Sequence, residues 1–425
     1  MESSKILTPP DTLEEGLPPV EGWRRTFLAF RNRNYRYFYA GQALSLIGTW
    51  ARTTALGWLA FQTTHSEFML GITFTVNSLP ILLFSTYSGL LADRLPKIRI
   101  FTFTSWFSLL SSLLIALLFL KGNVSIGVLL AFSACWGLST AFEMPARQSL
   151  IVELVGKKDL VNAIALNSAM VNSTRVIGYA LGGILTSLGA SCCFFLDASS
   201  YIAVLYAIHL IQLPPFVPRP SVKGFQQFLE GFRYLKKNPK VGRAVALLFV
   251  LSLGGWAYIS QISAFVRVQL NMDSATYGWL LAMTGLGACV AALTVATMGA
   301  ALVKERSLYI GAAIFSLSII LFGFQRAPVS AAFFLFFAGF GLVLFFSVGN
   351  SLIQTESPNE LRGRLMGIWA LVFGGGMPIG SFWMGVIAQK VGSGHALQAG
   401  GLFCALGAGT VYFLGRKSRR FTLTK

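Results

Sequence analysis

Charged residues are scarce in this chain. They make up 12% of its 425 residues, against about 25% in an ordinary soluble protein. Apolar residues make up 54%, and they form about a dozen runs of 18 or more residues, the length needed to cross a hydrocarbon core of ~30 Å. The shortage of charge excludes a soluble globular protein and predicts an all-α integral membrane protein.

Acidic residues are the scarcer of the two charged classes. There are 16 Asp and Glu against 34 Lys and Arg, which gives a formal net charge of +18. Such an excess is typical of nucleic-acid-binding proteins, but here nearly all the bases fall in the chain ends and in every second connection. The other connections hold Lys121, Arg267, Arg326 and Lys390. Since positive loops stay in the cytoplasm, we expect both termini there and no nucleic-acid partner.

Cysteine and histidine are also few. There are three histidines and five cysteines, and none of the cysteines has the spacing of a metal site. The chain contains no GxxxxGK[ST] phosphate-binding loop and no polar segment large enough for a nucleotide-binding domain. It also lacks a Ser-His-Asp, Cys-His or paired-carboxylate constellation. We therefore expect no metal, no cofactor, no ATP-driven pump and no enzyme.

The apolar runs predict twelve transmembrane helices, six on each side of a long polar connection. Their predicted bounds are 36–63, 69–92, 98–120, 126–147, 162–187, 192–213, 243–267, 275–299, 307–324, 329–354, 364–390 and 396–415. The corresponding domains are a cytoplasmic tail (1–30), a first bundle (31–213), a linker (214–242), a second bundle (243–415) and a final tail (416–425).

The linker has two parts. Four prolines in "LPPFVPRPS" forbid a continuous helix there. In the following "VKGFQQFLEGFRYLKKNPK", Phe225, Phe228, Phe232 and Leu235 recur at helical spacing. This pattern predicts an amphipathic helix on the membrane surface; a site for a soluble partner is the alternative.

The two halves carry a repeated sequence. "SLIVELVGKKDL" begins at Ser149 and "SLIQTESPNEL" at Ser351, and each leads through a polar loop into the next helix. Repeated six-helix halves are typical of transporters, whose substrate site lies between the halves near the middle of the bilayer.

A short charged hinge, "GLLADRLPKIR", separates the second and third apolar runs. We expect Gly89 to remove a side chain where two helices crowd. The carboxylate of Asp93 can bond to helix-end amides or to Arg94 and Lys97. These four residues form either a conformational latch or a charged loop that only fixes topology.

The hinge resembles the loop signature of the major facilitator superfamily, although Pro96 replaces its second glycine and Ile98 a common base. Three stretches resemble the branch that includes the enterobactin exporter: "FRNRNYRYFYAGQALSLIGTW", "AFEMPARQSLIVELV" and "NAIALNSAM". "RVIGYALGGIL" is similar to the antiporter signature of the superfamily's fifth helix through Gly178, Gly182 and Gly183, with Tyr179 in place of its proline.

This resemblance implies two six-helix bundles of the major facilitator fold and transport by alternating access, commonly as proton-driven antiport. We therefore expect a monomeric secondary active exporter in a bacterial cytoplasmic membrane, whose partners are a small organic substrate, protons and membrane lipid. The alternatives are a flippase for lysophospholipid or another lipid, and a non-transporting sensor, which would carry an added soluble domain.

Polar side chains inside membrane helices face protein or a cavity, and several lie on helical stripes here. For the neutral ones, hydrogen bonding between helices is an equally good explanation. The predicted substrate-cavity residues are Gln42, Ser45, Arg52, Asn77, Asn172, Arg175, Asn350 and Gln354.

Two of these, Arg52 and Arg175, lie deep, about 16 and 18 Å from the outer ends of their helices at 1.5 Å per residue. They favour an anionic or zwitterionic, siderophore-like or drug-like substrate; an ion pair, best with Asp197, is the alternative. Asp197 and Glu143 are the predicted proton-coupling residues, although Asp197 could be structural and Glu143 should pair with Arg147.

We predict that Asp93→Asn largely abolishes transport but leaves the protein in the membrane. Loss of one charge-assisted hydrogen bond of about 1–3 kcal/mol should unbalance the two orientations of the bundles. The measurement is transport by membrane vesicles at matched protein content. Transport at the unmodified rate would contradict the latch and leave only the topological loop.

Overall fold

The structure, a computed structural model, describes residues 22–122, 124–213 and 224–423, and no strand occurs among them. The predicted tail before residue 22, the proline-rich part of the linker and the last two residues lie outside this range. After a 3-10 segment (Gly22–Arg31) the helices are α1 Arg33–Thr64, α2 Glu67–Arg94, α3 Lys97–Leu120, α4 Ile126–Leu188, α5 Ala190–Leu210, α6 Gly224–Lys237, α7 Pro239–Gly254, α8 Ile262–Ala264, α9 Ser274–Met298, α10 Glu305–Gly323, α11 Pro328–Glu356, α12 Asn359–Val391 and α13 Ser393–Leu423.

Ten segments of the described chain are long and apolar enough to cross a membrane. The two further spans of the twelve are α1 and residues 157–188 of α4, which carry more polar side chains. The predicted fold class, an all-α membrane protein with the major facilitator fold, is confirmed.

Helix α4 departs from the prediction because it contains two spans. The polar loop expected after residue 147 is helical, and the direction changes at Gly156, where φ is +68° and ψ is −178°. Glycine is favoured at such a φ because it has no Cβ. The residues before the break continue the helix because Leu150, Ile151 and Leu154 are buried against Tyr35 and its neighbours.

The seventh span is irregular. Helix α7 continues through a 3-10 turn (Trp256–Gln261), the short α8 and a π-helical turn (Phe265–Gln269). Asp273 caps the next helix, α9: its carboxylate accepts hydrogen bonds from the amide and the hydroxyl of Thr276 at 2.9 and 2.8 Å. These bonds lower the pKa of the Asp273 carboxyl.

Helices α1–α5 pack mainly on one another, as do α7–α13, and two helix pairs join the sets: α4 with α9, and α2 with α12. We call the end of the molecule where α1, α3 and α7 begin the basic face. At the opposite face the two pairs cross at glycines. A Cβ added to Gly183 would lie 2.7 Å from Gly278 Cα, and one added to Gly71 would lie 2.8 Å from Gly385 Cα.

Hydrogen bonds also join the bundles at the opposite face: Ser263 Oγ donates to Gly57 O at 2.8 Å, and Ser66 Oγ to Gln389 Oε1 at 2.7 Å. At the basic face, the ion pairs of the described residues stay within one half of the chain, as for Lys97 with Glu153. The described contacts therefore hold the cleft between the bundles closed at the opposite face.

The linker helix α6 lies against the second bundle. Tyr234 donates from its hydroxyl to Glu356 O at 3.0 Å, and Glu230 pairs with Arg364. A Cβ added to Gly231 would lie 2.7 Å from Ile368. The predicted helix is present, but it also contacts protein; the side chains of Phe225 and Phe228 lie outside the described part.

We predict that Gly183→Ala and Gly385→Ala open the face opposite the basic face. Each new methyl group meets the backbone of a neighbouring helix, which cannot yield without separating the bundles. The measurement is the rate at which a hydrophilic maleimide labels a cysteine at position 263, in a variant whose native cysteines are replaced.

Gly409→Ala is the matched control, because an added Cβ there meets no atom within 4 Å. Both interface variants should be labelled faster than this control. Equal labelling of all three would show that the glycine crossings do not hold the face closed.

Candidate functional site

The cleft between the bundles contains one deep arginine on the second span of α4. The guanidinium carbon of Arg175 lies 4.7 Å from the centroid of the Trp50 ring, and that ring meets Tyr179 edge-on with centroids 5.2 Å apart. Arg175 Nε and Trp50 Nε1 are buried without a hydrogen-bond partner among the described residues. No described carboxylate lies within the 4.0 Å ion-pair distance of this guanidinium.

Two buried tyrosines of the second bundle, Tyr258 and Tyr277, belong to the same hydrophobic cluster as Tyr179. The Tyr277 ring stacks on Trp58, with centroids 5.9 Å apart. The hydroxyl of Tyr277 is buried and has no partner in the described chain. We call Trp50, Arg175, Tyr179, Tyr258 and Tyr277 the Arg175 pocket; it combines one uncompensated cation, several aromatic faces and unpartnered donors.

Two glycines place Trp50 beside Arg175. A Cβ added to Gly178 would lie 2.6 Å from both Ile47 O and Trp50 Cβ, and one added to Gly182 would lie 2.7 Å from Ala51 Cα. Because neither glycine carries a side chain, the second span of α4 lies directly against α1. The antiporter-like glycines thus set helix contacts, while Tyr179 contributes its ring to the pocket.

Arg52, predicted to line the substrate cavity, lies inside the first bundle instead. Its Nη1 lies 2.6 Å from Asp197 Oδ2, and its guanidinium carbon lies 4.5 Å from the centroid of the Trp136 ring. The side chain is 7% exposed and faces the interior of the first bundle. A buried ion pair compensates this arginine, so the expectation of two free cations in the cavity is corrected to one.

The two predicted proton-coupling acids both lie inside the first bundle. Asp197 is fully buried. Glu143 lies 3.5 Å from Arg147, as expected from their spacing of one helical turn. Neither acid contacts Arg175.

Several neutral polar residues make helix contacts instead. Asn77 Nδ2 donates to Ser133 O at 3.2 Å, Asn172 Nδ2 donates to Ser168 O at 2.9 Å, and Gln354 bonds to Asn350 one turn away. Gln42 and Ser45 are buried in the first bundle. For Asn77 the geometry is that of the alternative, a hydrogen bond between helices.

Three of the four hinge residues, Gly89, Arg94 and Lys97, have described side-chain environments. A Cβ added to Gly89 would meet no atom within 4 Å, so the expected crowding is absent in this conformation. Lys97 Nζ binds Glu153 Oε1 at 2.6 Å, and Arg94 is exposed. The side chain of Asp93 lies outside the described part of the structure.

Sequence patterns missed Trp50 and Tyr277 as pocket residues. Trp50 is two positions from Arg52 and therefore projects from nearly the opposite side of α1, a signal that separates the cleft-facing side from the bundle interior. No group of three or more His, Cys, Asp or Glu side chains in the described ranges could hold a metal ion.

Known proteins resemble this chain over most of its length. A family described as transmembrane secretion effector matches residues 25–419. The staphyloferrin A transporter of Staphylococcus aureus is 23% identical over 90% of this chain and 96% of that protein. The enterobactin exporter of Citrobacter koseri is 24% identical over 76% of this chain and 77% of that protein.

Solved structures share the fold. A bacterial homologue of the human lysosomal transporter Spinster superposes with a TM-score of 0.72 at 14% identity, covering 91% of this chain and 97% of that one. The nucleoside transporter NupG gives a TM-score of 0.70 at 13% identity, with 89% and 98% covered. The chain therefore belongs to the transmembrane secretion effector family of the major facilitator superfamily and is a multi-pass membrane transporter, not an enzyme.

Proposed function

We propose that this transporter exports an anionic, iron-chelating small molecule from the cytoplasm, driven by protons that flow inward. Two relatives named above are named for siderophores, staphyloferrin A and enterobactin. Chelators of ferric iron present hard, anionic oxygen donors. The lipid-flippase alternative has no such support from the relatives.

The single observation that carries this proposal is Arg175. A guanidinium with a buried nitrogen needs an anion or several acceptors, and among the described residues Arg175 has the Trp50 ring at 4.7 Å but no carboxylate within 4.0 Å. A cation over an aromatic ring gains about 0.5–2 kcal/mol, whereas a central arginine costs about 2.5–3.5 kcal/mol on insertion scales. The difference between these two free energies favours a carboxylate or catecholate of the substrate as the partner of Arg175.

The proposed direction of transport rests on the distribution of lysines and arginines along the chain. We assign the basic face, with both chain ends, to the cytoplasm because it carries most of the lysines and arginines. The described contacts close the cleft at the opposite face, so a substrate would enter from the cytoplasm. Closing the basic face and separating the glycine crossings would then release it on the other side.

The pocket chemistry suits such substrates. The guanidinium can donate two parallel hydrogen bonds to a carboxylate or a catecholate. The partly exposed ring of Trp50, beside Arg175, can contact an aromatic substrate. A permanent cation would be repelled by Arg175, so anionic competitors should bind better than quaternary ammonium compounds.

We predict that Arg175→Gln weakens binding of a tris-catecholate chelator by about tenfold or more, because one charge-assisted hydrogen bond contributes about 1.5–3 kcal/mol. The fully O-methylated form of the same scaffold should lose much less affinity. The measurement is competition binding to purified protein with both ligands.

Arg267→Gln serves as the matched control, since Arg267 is exposed at the opposite face. It should leave both affinities unchanged. An equal loss for the two ligands in Arg175→Gln would assign Arg175 to the fold. Tight binding of a quaternary ammonium compound, unchanged by the substitution, would contradict the anion proposal.

A further inference from the structure

A second polar cluster lies inside the first bundle, away from the Arg175 pocket. Asp197 Oδ2 accepts hydrogen bonds from Arg52 Nη1 at 2.6 Å and from Ser112 Oγ at 2.5 Å. Trp136 Nε1 donates to Ser112 Oγ at 3.1 Å. The other carboxylate oxygen, Asp197 Oδ1, is buried without a hydrogen-bond partner among the described residues.

The cluster continues toward the basic face. The hydroxyls of Ser108 on α3 and Ser139 on α4 are 2.6 Å apart. Glu143 lies one turn beyond Ser139 on α4. At 1.5 Å per residue, Asp197 is about 10 Å from the outer end of α5 and Glu143 about 25 Å from that of α4, so the path covers about 15 Å of depth.

The charges of this cluster balance. Asp197 pairs with Arg52 from α1, and Glu143 pairs with Arg147 on the first span of α4. Cys193 and Tyr201 lie on the same helix as Asp197, and α3 contributes the neutral Ser108 and Ser112. Two carboxylates and two guanidiniums give no net charge. Protonating Asp197 would leave Arg52 uncompensated unless it moved toward Glu143.

We propose that Asp197 and Glu143 form the proton pathway of this transporter, with Arg52 shared between them. This rests on the proposed proton-coupled function. A proton from the outer side binds the Asp197 carboxylate and breaks its ion pair with Arg52. The guanidinium keeps its charge and moves along α4 from Trp136 toward the Glu143 carboxylate. Glu143 then accepts the proton that Asp197 releases, Arg52 returns to the Asp197 carboxylate, and the proton leaves Glu143 to the inner side.

Helix α1 connects this pathway to the substrate. Arg52 contacts Asp197 on the bundle interior, and Trp50, two residues earlier, contacts Arg175 in the cleft. A displacement of α1 that follows the Arg52 movement therefore changes the contact between Trp50 and Arg175. Protons and substrate thus use separate sites on one helix.

The first experiment needs no substrate. We expect infrared difference spectra of the purified protein to show a protonated-carboxyl band that appears on acidification and is absent in Asp197→Asn. Asp197→Glu should restore a band with a shifted midpoint. Because Asp197→Asn leaves a buried arginine unpaired, which destabilises the fold, the double variant Arg52→Gln/Asp197→Asn removes both charges and is measured in parallel.

The second experiment uses proteoliposomes and a labelled tris-catecholate chelator. The double variant should exchange the chelator between equal pools but lose accumulation driven by a proton gradient. Glu305→Gln is the control, because Glu305 and Arg243 form a comparably enclosed ion pair in the second bundle. It should keep the band and the accumulation.

The outcomes separate the two proposals. An unchanged infrared band and unchanged gradient-driven accumulation in the Asp197 variants would overturn the pathway. Failure of the unmodified protein to exchange the chelator, with the Asp197 band present, would overturn the proposed substrate class and leave the pathway standing.

Discussion

A charge buried away from water needs a compensating group within the protein, and this constraint determines the surroundings of the two deep arginines. The two deep arginines satisfy it differently. Arg52 is compensated by Asp197 within one bundle, whereas Arg175 has only aromatic faces near its charge in the cleft. The first arrangement balances the arginine within the protein, and the second leaves Arg175 without a described carboxylate within 4.0 Å.

Glycine determines where the bundles meet. Two pairs, Gly183 with Gly278 and Gly71 with Gly385, bring helix backbones into contact across the cleft. Lipid chains are as apolar as leucine side chains, so helices in a membrane associate through close packing rather than through the hydrophobic effect. Such contacts are lost as soon as the backbones separate, which suits an interface that must open and close in each cycle.

The fold could be predicted from the sequence because membrane spans are set by length and hydropathy, which are local properties. The partner of Arg52 could not be fixed in the same way. Arg52 and Asp197 lie at different depths, about 16 and 10 Å from the outer ends of their helices. An arginine side chain is nevertheless long enough to reach an acid at another depth on a neighbouring helix. The prediction of a loop before residue 162 was also wrong. The chain is helical there because apolar residues on one side of the helix are buried.

The break at Gly156 joins two spans through a single residue instead of a flexible loop. Its backbone conformation, with φ near +68° and ψ near 180°, is essentially restricted to glycine. The two parts of α4 therefore cannot change their relative orientation freely, since one pair of dihedral angles must absorb any difference. Glu143 lies on one part and Arg175 on the other, so the dihedral angles of Gly156 fix the orientation of the acid of the bundle interior relative to the cation of the cleft.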